Sequence, residues 1–115
     1  MTFAQVRKMA LELDGVEEAT SYGTPAFKVQ GKLIARLKED GVTLVVGTTF
    51  EEREGLMADG PETYFLTDHY LNYPWVLVRL KPVKAAALRE LLTRAWRLAR
   101  EKKSESTKTG RRGVD

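Results

Sequence analysis

One histidine, three serines and no cysteine make up the commonest acid–base and nucleophile candidates in this 115-residue chain. His69 follows Asp68, and Ser21 would complete a triad on paper, but no serine sits in a Gly-x-Ser-x-Gly turn and no motif supports the grouping. A loop histidine packed among tyrosines and bonded to a backbone group asks less of the sequence. The nine glycines are scattered rather than gathered, so no phosphate-cradling loop is encoded. Glu12, Asp14, Glu17 and Glu18 cluster, as do Glu51, Glu52 and Glu54. Oxygen donors at that density could hold a hard cation weakly, yet a helix end with its connector and a helix start account for them. The chain is therefore expected to be no enzyme and to carry no metal and no cofactor.

Positive charge is arranged more tellingly. The segments 26–38 and 75–81 hold Lys28, Lys32, Arg36, Lys38, Arg79 and Lys81 and no acid. If both are strands burying Phe27, Val29, Leu33, Ala35, Leu37, Val76, Val78 and Leu80, the period of two sends Lys28, Arg36, Lys38, Arg79 and Lys81 to the opposite face. Ile34 and Trp75 would share that face, where an indole could stack on a base. Such a basic plate is what phosphate contacts require. An ordinary solvated face, with lysine and arginine stems covering apolar neighbours, is the competing reading.

These residues need elements to hold them. Thr2 and Gln5 form a capping box, and Phe3, Val6, Met9, Ala10 and Leu13 mark one apolar helical stripe that Asp14-Gly15 ends. Glu17-Glu18 reads as an acidic connector, and the run from Ser21 to Pro25 as turn chemistry. A hairpin is predicted over 26–38, turning at Gly31-Lys32, and a third strand over 42–46 after the Asp40-Gly41 turn. Thr49 caps a short helix that ends before Asp59-Gly60-Pro61. A short strand over 63–66, an aromatic loop through His69, Tyr70 and Tyr73, and a strand over 75–80 follow. The aromatic-proline pair Tyr73-Pro74 makes a cis bond worth examining. A long helix over 84–102 buries Leu88, Leu91, Leu92, Ala95, Trp96, Leu98 and Ala99. The result is an α+β architecture in the order α-β-β-β-α-β-β-α, with an antiparallel sheet of about five strands and helices on one face.

Length fits one domain over 1–100, followed by a basic tail over 101–115 whose composition predicts disorder. Lysines and arginines number 19 against 16 acids, a net charge of +3. The whole excess lies from Arg100 onward, in Arg100, Lys102, Lys103, Lys108, Arg111 and Arg112 against Glu101, Glu105 and Asp115, so residues 1–99 are neutral. A solubilising appendage is the simpler reading of that tail, though it could add nonspecific phosphate affinity. No stretch approaches the ~20 apolar residues that span a bilayer, and no export signal opens the chain. A cytoplasmic protein without membrane contact is expected.

The runs 15–18 and 21–29, then 32–37, then His69-Tyr70 and 73–80, together with Ala95-Trp96-Arg97-Leu98-Ala99, closely resemble the MmcQ/YjbR family of small bacterial proteins. The resemblance extends over about residues 2–100. It implies a "double wing" fold with two hairpin wings, similar to CyaY-like proteins, and a DNA-binding role by analogy with winged domains. It brings no catalytic or metal site. The family's recurring surface residues fall on Tyr22, Pro25, Lys28, Lys32, Arg36, His69, Tyr73, Trp75 and Arg79. The expectation is a monomeric, non-catalytic domain binding duplex DNA, with Lys28, Lys32, Arg36, Lys38, Arg79 and Lys81 on phosphates and Trp75 on a base or sugar. The alternative is a protein-interaction module using His69, Tyr70, Tyr73 and Trp75.

Overall fold

The computed structural model describes the backbone of residues 1–109 and the side chains of residues 1–101; residues 110–115 of the tail lie outside the described residues. Three helices, α1 (Phe3–Leu11), α2 (Phe50–Asp59) and α3 (Ala85–Thr109), accompany six strands: β1 (Val16–Ser21), β2 (Thr24–Val29), β3 (Lys32–Leu37), β4 (Thr43–Gly47), β5 (Tyr64–Phe65) and β6 (Trp75–Arg79). Every pairing is antiparallel, in the order β1-β2-β3-β4-β6-β5. The α+β class and the succession of elements are those expected, with one strand more. Among the described residues no helix is long and apolar enough to cross a membrane.

The added strand is β1, which replaces the expected acidic connector. Glu17 and Glu18 alternate sides within it. Glu18 reaches Arg7 of α1 at 2.8 Å, while Glu17 stands directly across from Lys28. At the hairpin tip Tyr22 and Gly23 have φ of 56° and 80°, the left-handed pair of a type I′ turn whose twist matches its strands. Gln30 and Gly31 repeat the pattern between β2 and β3.

The main core lies between the sheet and the α1–α3 layer. Phe27, Val29, Ala35, Leu44, Val46, Val76 and Val78 meet Val6, Met9 and Ala10 of α1 and Leu88, Leu91, Leu92 and Ala95 of α3. Each fully buried side chain of this size contributes about 1.5–3 kcal/mol. The pairing register slips between β2 and β3, leaving Ile34 without a partner on β2. This bulge puts Ile34 and Ala35 together in the core, so Ile34 is not on the outer face as its parity predicted. Leu33, expected in the core, instead stands opposite Lys28 and is only half-buried. At the other end of the chain, α3 continues through 101–109, a stretch whose composition predicts disorder.

Asp40 organises the β3–β4 turn. Its Oδ1 accepts the amide N–H groups of Val42 (2.9 Å) and Thr43 (3.0 Å), and its Oδ2 accepts the Thr43 hydroxyl (2.8 Å). Partial burial pushes the carboxyl up, but these bonds and nearby Lys38 outweigh it and hold the pKa below the ordinary 3.8. They favour the charged form, so their contribution is complete above the unfolded aspartate's pKa and is lost as pH falls through the folded one. Asp40→Ala is expected to cost about 1 kcal/mol at neutral pH. In urea titrations the gap from the parent should close as pH drops below 3.8; a gap independent of pH would mean that the carboxylate charge is not what holds the turn.

Candidate nucleic-acid interface

The sheet face turned away from α1 and α3 carries Lys28 and Leu33 near one end, Arg36 and Val45 in the middle, and Thr43 beside Arg79 at the other end. That much follows from strand parity. The plate is nevertheless neither bare nor continuous, because the segment from Leu66 to Pro74 folds back over β4 and β6. There Tyr70, in a single 3₁₀ turn over Asp68–Tyr70, packs on Val45 and Leu77 with Phe65, Leu66 and Trp75 in a second small core.

Arg53 of α2 fixes that segment. Its Nη1 donates to the carbonyl oxygens of Tyr70 (3.1 Å), Tyr73 (2.7 Å) and Trp75 (3.2 Å), and its Nη2 to that of Leu71 (3.0 Å). The Phe50 ring lies 4.8 Å from the guanidinium carbon. The side chain is buried among these carbonyls and belongs to none of the salt bridges among the described residues. Five N–H donors in a planar fork suit a cluster of chain oxygens that lysine could not span. Sequence reading missed Arg53 because a lone arginine in a short polar helix looks like surface. Among the described residues all peptide bonds are trans, Tyr73–Pro74 included.

Arg36, expected to meet phosphates from an open face, is only 6% exposed. Its Nη2 donates to the Tyr70 hydroxyl at 3.0 Å, and its Nη1 approaches the Thr24 hydroxyl and the Leu37 carbonyl, both at 3.3 Å. The nearest carboxylate is Glu39, at 3.6 Å. The Tyr22 ring lies 5.1 Å from the guanidinium carbon. In this structure, then, Arg36 is a buried hub rather than part of an open basic surface, and the fold-back of Tyr70 is the physical reason.

The remaining cations fall into two groups. Lys28 and Lys32 lie toward one end of the sheet; Lys38, Arg79 and Lys81 lie at the other. Arg79 is exposed and covers Phe65 with its guanidinium 4.0 Å from the ring centre. Among the described residues none of Lys28, Lys32, Lys38, Arg79 and Lys81 is in a salt bridge, whereas Glu12, Glu18, Glu39 and Glu52 pair with Arg89, Arg7, Arg36 and Arg94. Lys32 and Trp75, expected on one plane, instead line a groove of about 300 Å³ that runs round the sheet end to Ala95, Leu98 and Ala99 of α3. Of the aromatic set, Tyr70 is buried and Trp75 half-buried over Gly47, while His69 and Tyr73 remain at the surface. His69 stands edge-on to Tyr70, 4.7 Å between ring centres, with neither Ser21 nor another polar side chain bonded to it among the described residues.

A YjbR family model matches residues 11–98. The crystal structure of Deinococcus radiodurans protein DR2400, a DUF419 domain, is similar with a TM-score of 0.78 and 26% identity, over 95% of this chain and 88% of that one. Uncharacterized proteins of Mycobacterium bovis and Mycobacterium tuberculosis are each 51% identical over 41 residues, 36% of this chain. Those matches span about a third of the relatives' own length, 32%.

Proposed function

The chain belongs to the YjbR family, and from that premise we propose that it binds duplex DNA without catalysis, through Lys28 on the outer sheet face with Lys32 round that end of the sheet, and through Lys38, Arg79 and Lys81 at the other end. The observation that carries this reading is the division of charge. Every salt bridge among the described residues joins a glutamate to Arg7, Arg36, Arg89 or Arg94, and none of these five cations is in one. Six residues of β3 and its extension separate Lys32 from Lys38, about 20 Å of strand. That exceeds the ~12 Å width of a major groove, so the two groups suit phosphates on its two flanks rather than base edges within it. Arg36 takes no part in this contact as the face stands. Trp75, half-buried at the sheet end, reaches a base or sugar only at the margin of such a footprint.

The test is amide chemical-shift mapping of the full chain with a short duplex. Shifts are expected at 28–32, at 38–42 and at 79–84, with the centre of the face little affected. Shifts confined to residues 101–115 would assign the binding to the tail and end this reading. A protein-partner role has its own support in Tyr73 and Leu71, which are 57% and 54% exposed on a segment anchored by Arg53. It predicts instead that Tyr73→Ala removes a captured partner without any salt dependence.

A further inference from the structure

A buried guanidinium is costly unless a carboxylate or a full set of acceptors meets it. Arg53 meets four carbonyl oxygens; Arg36 meets three neutral acceptors. It is 6% exposed, yet its only carboxylate among the described residues, Glu39, stands at 3.6 Å, beyond hydrogen-bond distance, and is itself 62% exposed on the side chain. The acceptors it does reach include two at 3.3 Å.

The neighbouring hydroxyl is also half used. Tyr70 Oη accepts from Arg36 Nη2, and among the described residues no acceptor receives the phenol's own proton. A guanidinium edge and a free O–H donor thus lie side by side on the outer face. The lid over them is Tyr22, 83% exposed, at φ 56°, a left-handed conformation that costs a side chain of this kind about 1 kcal/mol and that glycine or asparagine would take more easily. Its ring lies over the guanidinium and is otherwise largely open to solvent.

We propose that Arg36 and Tyr70 form the floor of a binding site for a phosphate group, occupied in this structure by the Glu39 carboxylate and roofed by Tyr22. One phosphate oxygen takes the place of Glu39 beside Nη1 in exchange for one of its two 3.3 Å bonds, a second meets the unused Nη2 hydrogen, and a third accepts the Tyr70 proton. Its greater charge lets it displace a loosely held, mostly exposed carboxylate. Glu39 then acts as an internal competitor. The site is independent of the five cations assigned to duplex binding, and its phosphate could come from a nucleic-acid strand or from a free phosphate ester.

The experiment follows the Arg36 Nε–H resonance in the full chain during titration with inorganic phosphate. Saturable movement is expected in the parent. Glu39→Gln, an exposed change, is expected to tighten binding several-fold, and Tyr70→Phe to weaken it about tenfold, the loss of one charge-assisted hydrogen bond. A merely structural Arg36 would give neither response. Absence of saturable movement in both the parent and Glu39→Gln, or equal affinity in the parent, Glu39→Gln and Tyr70→Phe, overturns the proposal. Thymidine monophosphate and a short duplex identify the source: movement of Arg36 with the duplex assigns the site to nucleic acid, and movement with the nucleotide alone assigns it to a free ester. Lys28→Gln with Lys81→Gln should weaken the duplex and leave inorganic phosphate unchanged, which separates failure of this site from failure of the duplex reading.

Discussion

Arg53→Met is expected to destabilise the protein by about 3–5 kcal/mol, because four carbonyl oxygens lose their shared donor at once. The substitution keeps the length and apolar bulk of the stem. What disappears is the fork that holds the carbonyl oxygens of Tyr70, Leu71, Tyr73 and Trp75, of which Tyr70 and Trp75 belong to the second core. Buried carbonyls without donors cost 1–3 kcal/mol each when water cannot reach them, and part of that cost will be relieved by the segment lifting toward solvent. For a domain of this size the loss corresponds to roughly 12–25 °C in Tm. Urea denaturation measures it, and amide exchange should show residues 69–75 opening first. Arg53→Lys should recover only part, since an ammonium cannot span four oxygens. A loss below about 1 kcal/mol would show that Tyr70 and Trp75 hold the segment by packing alone.

Duplex affinity is expected to fall about 500-fold between 50 and 200 mM salt if five phosphates are contacted, from a log–log slope near −4.5. Counterion release sets the slope, which therefore counts contacts rather than net charge. This matters here because residues 1–99 are neutral overall. Replacing Arg79 and Lys81 by glutamine should make the slope shallower by about 2. A chain ending at Arg100 should keep it. A slope that survives the sheet substitutions and disappears with residues 101–115 would move the function to the tail.

The α+β class was legible because hydrophobic period and turn chemistry agree along most of the chain. Phe27 and Val29, then Val76 and Val78, alternate as strands burying one face must, and they do bury it. Thr2 and Gln5 announced the first cap, and both of its bonds are present. What was not legible is instructive. β1 offers little apolar material beyond Val16 and Ala19, since it is an edge strand whose Glu18 pairs with Arg7 of α1 while Glu17 faces the other side. Parity placed Arg36 on the correct face but could not say that Tyr70, 34 residues later, would lie on top of it. Arg53 carried no signal at all, because its partners are backbone oxygens and any sequence supplies those. Side-chain chemistry can be read along a strand; which segment returns to cover it depends on contacts distant in the chain.

The bulge at Ile34 changes the shape of the charged surface as well as the packing beneath it. Strand parity reverses there, so Lys32 and Lys38, though an even number of residues apart, do not share a wall. Leu33 takes the place beside Lys28, and Lys32 turns toward the groove it lines with Trp75 and α3. The positive charges therefore follow a corner, with one wall on the outer sheet and the other at its end. A rod laid against a corner touches along a line, and its direction is set by the edge. An orientation for any bound polyanion is thus written into the register slip of one residue.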